Sequence, residues 1–409
     1  MRPKVAVLHH RRSFFPLDLV QQVGDAAELV WVVDSGTLDA TTRRLIHRLG
    51  PVVDTAGLGP EATAAALADA RPQGVVTFVD DHLEAAADLA GRLGLPYHSP
   101  AVARTLVDKR LQRVALAEAG VPGPEFWTIP AGISPEAVAE IADAVAYPAV
   151  LKPAEGSGSR DIHSVDGPEE LLAVVGGNPV MGHLVERYLE DQPGRDQRFA
   201  GYLSVESVVS GGQVSHVALT GRFPLADPFR ETGNFIPALL ADDLEPEVLR
   251  VAGAALHALG IRDAVTHTEI KLTPEGPKVI EVNGRLGGRP PFVLRSVSDV
   301  NLFQVACRVA TGAPVCFDQL VETHRVGYWL MLQAPMWARR LGVVEGLDEV
   351  SKMKAVDTVS LDLHQGRALD WREGTDSHVV TVQGRVADHE ELATTVTEVQ
   401  HRISITYDG

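Results

Sequence analysis

At 409 residues, with 45% hydrophobic and 22% charged side chains, the chain is long enough for two or three domains with real cores. A formal charge of −17 argues against a nucleic-acid binder, which needs a basic patch, yet leaves room for an anionic nucleotide held by a local cluster of cations. The two cysteines, Cys307 and Cys316, form neither a disulfide framework nor a metal-ligand pattern, and no run of about 18 apolar residues exists to span a membrane. The N-terminus enters a strand at once and shows no apolar segment with a cleavage site, so the cytoplasm is the expected location.

Over residues 1–100, Val5 to Leu8, Leu29 to Val33 and Val75 to Val79 read as buried parallel strands. Helical patterns lie between them at Glu61 to Asp69 and His82 to Leu93, so a small doubly wound α/β domain is expected. No GxGxxG follows the first strand, which disfavours a dinucleotide site. His9, His10, Asp80 and Asp81 stand at strand ends, where open α/β sheets bind ligands. Asp80-Asp81-His82 reads first as a cap for the next helix.

Ser99 to Ala119 reads as one helix with Lys109 in its middle, stopped by the Gly120–Pro124 run. Next, a strand delivers Lys152, and the small-residue loop Gly156, Ser157, Gly158, Ser159 follows at once. Glycines let backbone N–H groups close over phosphates, and a strand-end lysine supplies a point charge. The Walker spacing is missing, so this is no P-loop. His183 to Glu190 reads as a strand running into a hinge, and Leu203 to Val209 with Val214 to Thr220 as a hairpin. Gly221 to Pro237, holding Arg222, Arg230, Glu231 and Asn234, reads as a loop suited to substrate contacts. Val248 to Leu259 is an amphipathic helix ended by Gly260.

Two alternating runs, Val265 to Leu272 and Lys278 to Asn283, flank a Pro- and Gly-containing turn and read as a hairpin. A turn centred on Glu275 sets Glu269 opposite Glu281 and His267 opposite Asn283. Two carboxylates in direct opposition repel by ~0.2–1 kcal/mol where water screens them, and a cation between them reverses that sign. Carboxylate and amide oxygens suit Mg²⁺, and Arg285 just past the strand suits a phosphate or carboxylate. From the hairpin alone, a solvated acidic edge remains an equal reading.

Glu269, Glu281 twelve residues later, Asn283 and Arg285 resemble the metal-binding end of the ATP-grasp superfamily, the ligases that form ADP and activate a carboxylate as an acyl phosphate. Lys109, Lys152 with its loop, and the segment Glu186 to Leu189 appear in the order that superfamily requires, over residues 100 to 310. The resemblance implies an α/β fold with an ATP-grasp domain at 101–310, its lid at about 120–190, behind an N-terminal α/β domain at 1–100. It implies ATP and Mg²⁺ as cofactors, with Mn²⁺ an alternative. Lys109, Lys152 and the loop Gly156–Ser159 would hold phosphates. Glu186 would orient the segment whose backbone at Arg187, Tyr188 and Leu189 reads the base, with Glu190 offered for the ribose. Glu269, Glu281 and Asn283 would hold the metal. Arg285 would bind the carboxylate and stabilise the oxyanion, with His267 a candidate base and Gly288 and Arg289 beside the substrate.

Two departures stand out: Arg160-Asp161 replace the family's usual Gly-Val, and Tyr202 stands where a ribose carboxylate is common. The His-Thr-Glu at 267–269 and the Arg-Leu-Gly-Gly turn look most like the carboxylate–amine ligases that join amino acids. The partners implied are a small-molecule carboxylate and an amine, with no nucleic acid, no membrane and a homodimer as the prior. The alternatives are an ATP-grasp carboxylase, a phosphotransferase, and a nucleotide-binding regulator without turnover. From residue 311 a C-terminal mixed α/β extension is expected, with strands Val326 to Leu332, Val356 to Leu361 and His378 to Val386 and a closing helix Asp388 to Ile405. It is expected to pack on the core and to carry no chemistry.

Overall fold

The computed structural model describes residues 2–177 and 180–409. Near the N-terminus, strands Lys4–Leu8, Glu28–Val33, Val52–Asp54 and Gly74–Thr77 form a parallel sheet in the order third, second, first, fourth. Their side chains are apolar almost without a break because helices and neighbouring elements cover both faces: Val5, Ala6, Val30, Trp31 and Val75 are fully buried. The strand order reverses between the first and fourth strands, so the residues leaving Leu8 and Thr77 face the crevice where such sheets bind ligands.

A second sheet of four antiparallel strands, ordered Phe126–Ile129, His183–Arg187, Ala149–Pro153, His163–Val165, lies within residues 120–190, where the lid is expected. It has its own core of Ile129, Val138, Ala142, Leu151, Leu171 and Val185.

The third and largest sheet has eight strands. It runs from the hairpin Ala264–Thr273 and Gly276–Asn283 through Tyr202–Ser210, Gln213–Arg222 and Gly233–Ile236 to Val326–Leu332, Val380–Val386 and Val356–Leu361. Helix Glu245–Ala258 covers one face, packing Val248, Val251 and Leu256 against Val205, Val209 and Ile270. The alternate residues, Val208, Val217 and Val265, point the other way into a cluster with Phe303, Trp31 and Phe78. That cluster seats the N-terminal domain on the sheet. Three C-terminal strands extend the same sheet, and only Ser404–Asp408 pairs elsewhere, with Arg340–Glu345.

Three local readings change. The helix expected over Ser99 to Ala119 is two helices, Pro100–Val107 and Lys109–Glu118. Asp108 breaks it: its backbone is extended and its carboxylate accepts from the N–H groups of Arg110 (2.9 Å) and Leu111, capping the second helix. Lys109 therefore opens a helix instead of sitting inside one. The loop expected over Gly221 to Pro237 contains the strand Gly233–Ile236, too short for its periodicity to show. In the hairpin the turn lies one half-residue from the expected centre, with Thr273 opposite Gly276, and a bulge between Glu269 and Ile270 compensates. Glu269 faces Glu281 and His267 faces Asn283 after all.

Candidate active site

A cavity of about 760 Å³ lies where the three units meet, walled by Asp80 from the first, Lys152 and the Gly156–Ser159 loop from the lid, and Glu269, Glu281 and Asn283 from the large sheet. Antiparallel register puts the two glutamates side by side, and the cations around them arrive from distant segments. Lys109 Nζ lies 3.0 Å from Glu281 Oε1 and also donates to the carbonyl of Gly156 in the lid loop. Burial alone would discharge this lysine, but Glu281 more than offsets it and raises the pKa.

Lys152 Nζ donates to Glu186 Oε2 at 2.6 Å, and Arg113 Nε donates to Glu186 Oε1 at 2.7 Å. Burial works against ionising Glu186, and the two cations overcome it, holding the carboxyl below its usual range. Arg113 also donates to the carbonyls of Val279 (2.9 Å) and Ile280 (2.5 Å), which ties the lid strand to the hairpin. Nothing in the sequence marked Arg113, because its partners lie on two other elements.

Glu269 is half-buried, and its desolvation taken alone would raise its pKa. His267 Nε2 at 3.5 Å and Arg222 Nη2 at 4.0 Å reverse that, and the carboxyl is pushed down to about 2. His267 itself is enclosed. Nδ1 lies 2.9 Å and 3.0 Å from the two oxygens of buried Glu206, and Nε2 lies 2.9 Å from Arg222 Nη2. Burial opposes the charged ring, yet Glu206 and Glu269 bring its pKa up to about 9. To serve as the expected base for the amine it would have to give up one of these contacts, because Nδ1 faces the Glu206 carboxylate and Nε2 faces the Arg222 guanidinium.

Arg285 closes the site. Its Nε donates to Asp80 Oδ2 at 3.2 Å, Nη2 binds the same carboxylate, and Nη2 also donates to Asn283 Oδ1 at 3.2 Å. Asp80 was expected to cap a helix; it makes no such bond and serves as the arginine's counter-ion. The capping reading failed because its true partner is 205 residues away.

Lys109, Lys152, the Gly156–Ser159 loop, Glu186 to Leu189, His267, Glu269, Glu281, Asn283, Arg285, Gly288 and Arg289 all line the cavity. Glu190 does not line it. The N–H groups of Arg187 and Tyr188 are spent on the carbonyls of Glu125 and Pro148, both at 2.9 Å. Of the pair Arg160-Asp161, Arg160 lines the cavity, while Asp161 instead lies 2.8 Å from His163 Nε2. The C-terminal stretch, expected to carry no chemistry, supplies Trp329, Met331, Thr375, Asp376 and Gln383 to the cavity wall. The facing of Trp329, Met331 and Gln383 depends on sheet register, which short strands of similar composition do not reveal, while Thr375 and Asp376 arrive on the 3₁₀ segment Trp371–Ser377.

Residues 106–289 match the ATP-grasp domain family. This chain carries an ATP-grasp domain. The ATP-grasp protein is 30% identical to the uncharacterized protein y4rH of Sinorhizobium fredii over 349 residues, 83% of this chain and 66% of that one. It is 29% identical to carnosine synthase 1 of Gallus gallus over 269 residues, 60% of this chain and 28% of the synthase. The chain thus spans just under two thirds of the rhizobial relative and under a third of the avian one. The crystal structure of an L-amino acid ligase from Bacillus licheniformis superposes with a TM-score of 0.79 at 19% identity, covering 100% of this chain and 99% of that one. The ATP-grasp protein therefore shares that ligase's fold.

Proposed function

We propose that this ATP-grasp protein is an ADP-forming ligase that joins a small carboxylic acid, an amino acid or a relative of one, to an amine through an acyl phosphate. One observation carries the reading: Glu269, Glu281 and Asn283 converge with Lys109, Lys152 and Arg285 on a single cavity. All three candidate metal ligands offer hard oxygen, and Glu269 stays ionised, so the set fits Mg²⁺, with Mn²⁺ as a substitute. When bound, such an ion supplies charge neutralisation along the phosphate chain.

The rest falls to the chain's own residues. Lys109 and Lys152 hold the phosphates of ATP under the lid loop, exchanging carboxylate partners for phosphate oxygens. Arg285, oriented by Asp80 and Asn283, places the substrate carboxylate so that its oxygen attacks the γ-phosphorus and ADP leaves. The amine then attacks the acyl carbon, Arg285 stabilises the oxyanion, and inorganic phosphate departs with the amine's proton. His267, fixed between Glu206 and Arg222, holds Glu269 in place.

ADP release with ATP, Mg²⁺ and an amino-acid panel tests the reading, with hydroxylamine trapping any acyl phosphate as a hydroxamate and product mass separating amide formation from carboxylation or phosphorylation. ADP and a hydroxamate are expected; no ADP with any carboxylate would overturn it.

A further inference from the structure

Beyond Arg285 the cavity floor continues across the large sheet. Arg222, Asn234, Trp329 and Gln383 oppose one another in register on four successive strands, so their side chains stand on one face, and all four line the cavity. Within this row the polar bonding is incomplete. Asn234 is only 1% exposed, yet neither Nδ2 nor Oδ1 has a partner among the described residues, and Trp329 Nε1 is likewise buried and unpartnered. Leaving buried amide and indole groups unbonded costs on the order of 1–3 kcal/mol each, so a row of them facing a cavity points to a ligand that bonds them.

The charge of this corner is equally specific. Arg222 is neutralised by Glu231 at 3.0 Å, as Lys109, Lys152 and Arg285 are by Glu281, Glu186 and Asp80. Arg289 lies 5.0 Å from the centre of the Trp329 ring and has no carboxylate partner among the described residues. Phe292, 5.9 Å from Trp329, and Phe14, 5.5 Å from Phe292, supply an apolar wall beside it. Donors from an amide, an indole and a guanidinium beside aromatic rings suit one chemical group: a carboxylate carried on an apolar body.

We infer that Asn234, Trp329 and Arg289 form a second carboxylate subsite, separate from Arg285, which reads the substrate carboxylate that the reaction leaves unchanged. The inference rests on the ligase reading and narrows it: one of the two substrates carries a free carboxylate besides any that is activated, as an amino acid used as the amine does.

The test holds one carboxyl donor fixed with ATP and Mg²⁺ and compares amino acids with their carboxamides as the amine substrate of the full chain. The wild-type protein should prefer free acids by ~100-fold in kcat/KM, the size expected when a buried charge-assisted contact is lost. Asn234→Asp sets a negative charge against the carboxylate, and Arg289→Ala removes the cation; both should cut that preference to below ~5-fold, with Arg289→Lys in between. Thermal-shift titration of the same acids and amides reads the subsite without turnover, and a rise in Tm with ATP confirms that each variant is folded. Equal use of acids and amides by the wild type, or an unchanged preference in both variants, overturns the subsite. Hydroxamate formation under those conditions shows that the ligase reading survives; its absence with every acid shows that the ligase reading itself has failed.

Discussion

Arg285, at the end of the acidic hairpin, donates through Nε to Asp80 Oδ2 at 3.2 Å, and Asp80 opens the short 3₁₀ helix Asp80–His82 that follows the strand Gly74–Thr77 of the N-terminal sheet. Both side chains are nearly buried, so the pair is a hinge pin between the two units as well as an ion pair. Burial disfavours the charged guanidinium, and Asp80 overcomes it, raising the pKa. The arginine is therefore charged and held in a fixed orientation. Arg285→Lys keeps the charge and loses the planar fork; kcat should fall by ~100-fold. Asp80→Asn should lower kcat by ~10-fold, with the KM for ATP changing by less than ~2-fold, because it disturbs orientation alone. Steady-state kinetics of ADP release decides; an unchanged kcat for Asp80→Asn would remove its positioning role.

Glu281→Gln and Glu269→Gln test the metal-ligand assignment. Each keeps the shape and loses the charge, so turnover should drop by at least ~100-fold and the Mg²⁺ concentration for half-maximal activity should rise. Titrating Mg²⁺ against ADP release measures both. Wild-type turnover from either variant would sink the assignment.

The C-terminal stretch is bonded to the Gly156–Ser159 loop. Thr375 N–H donates to the Gly158 carbonyl at 2.9 Å, and Thr375 Oγ1 in turn accepts from the N–H of Glu231 at 3.1 Å. Gly374, at φ +76°, packs so close that a Cβ would run into the Gly158 carbonyl. Gly374→Ala should therefore push the phosphate loop outward and raise the KM for ATP by ~5-fold or more. An unaltered KM would show that this contact has no part in closing the lid over the nucleotide.

Acid should destabilise the N-terminal domain. His9 is 3% exposed, and burial, helped by His10 and His82, lowers its pKa to about 4. An unfolded chain takes up this proton below about pH 6.5, whereas the folded one resists it until about pH 4. Stability from this group is thus complete above pH 6.5 and declines as pH falls through that window, by at most about 3 kcal/mol. Urea unfolding at pH 7 and pH 5 measures the difference, and His9→Phe, which keeps a ring against Trp31, should shrink it. An identical loss of stability in that variant would assign the effect to other groups.

The acidic hairpin was legible in the chain because alternation along two adjacent strands is a local property, and its pairing survives even a bulge that shifts the turn. The same holds for Lys152 and the loop behind it, whose strand and glycines lie within a few residues of each other. By itself, then, the sequence determined the candidate residues for metal and phosphate chemistry and the order in which they come. Only the tertiary structure decided what surrounds them: Asp80 against Arg285, Arg113 between lid and hairpin, His267 enclosed by Glu206 and Arg222, and Asn234 beside Trp329. Those neighbours meet across sheets and domains, where the burial of many apolar side chains sets the register, and no short window of sequence contains that sum.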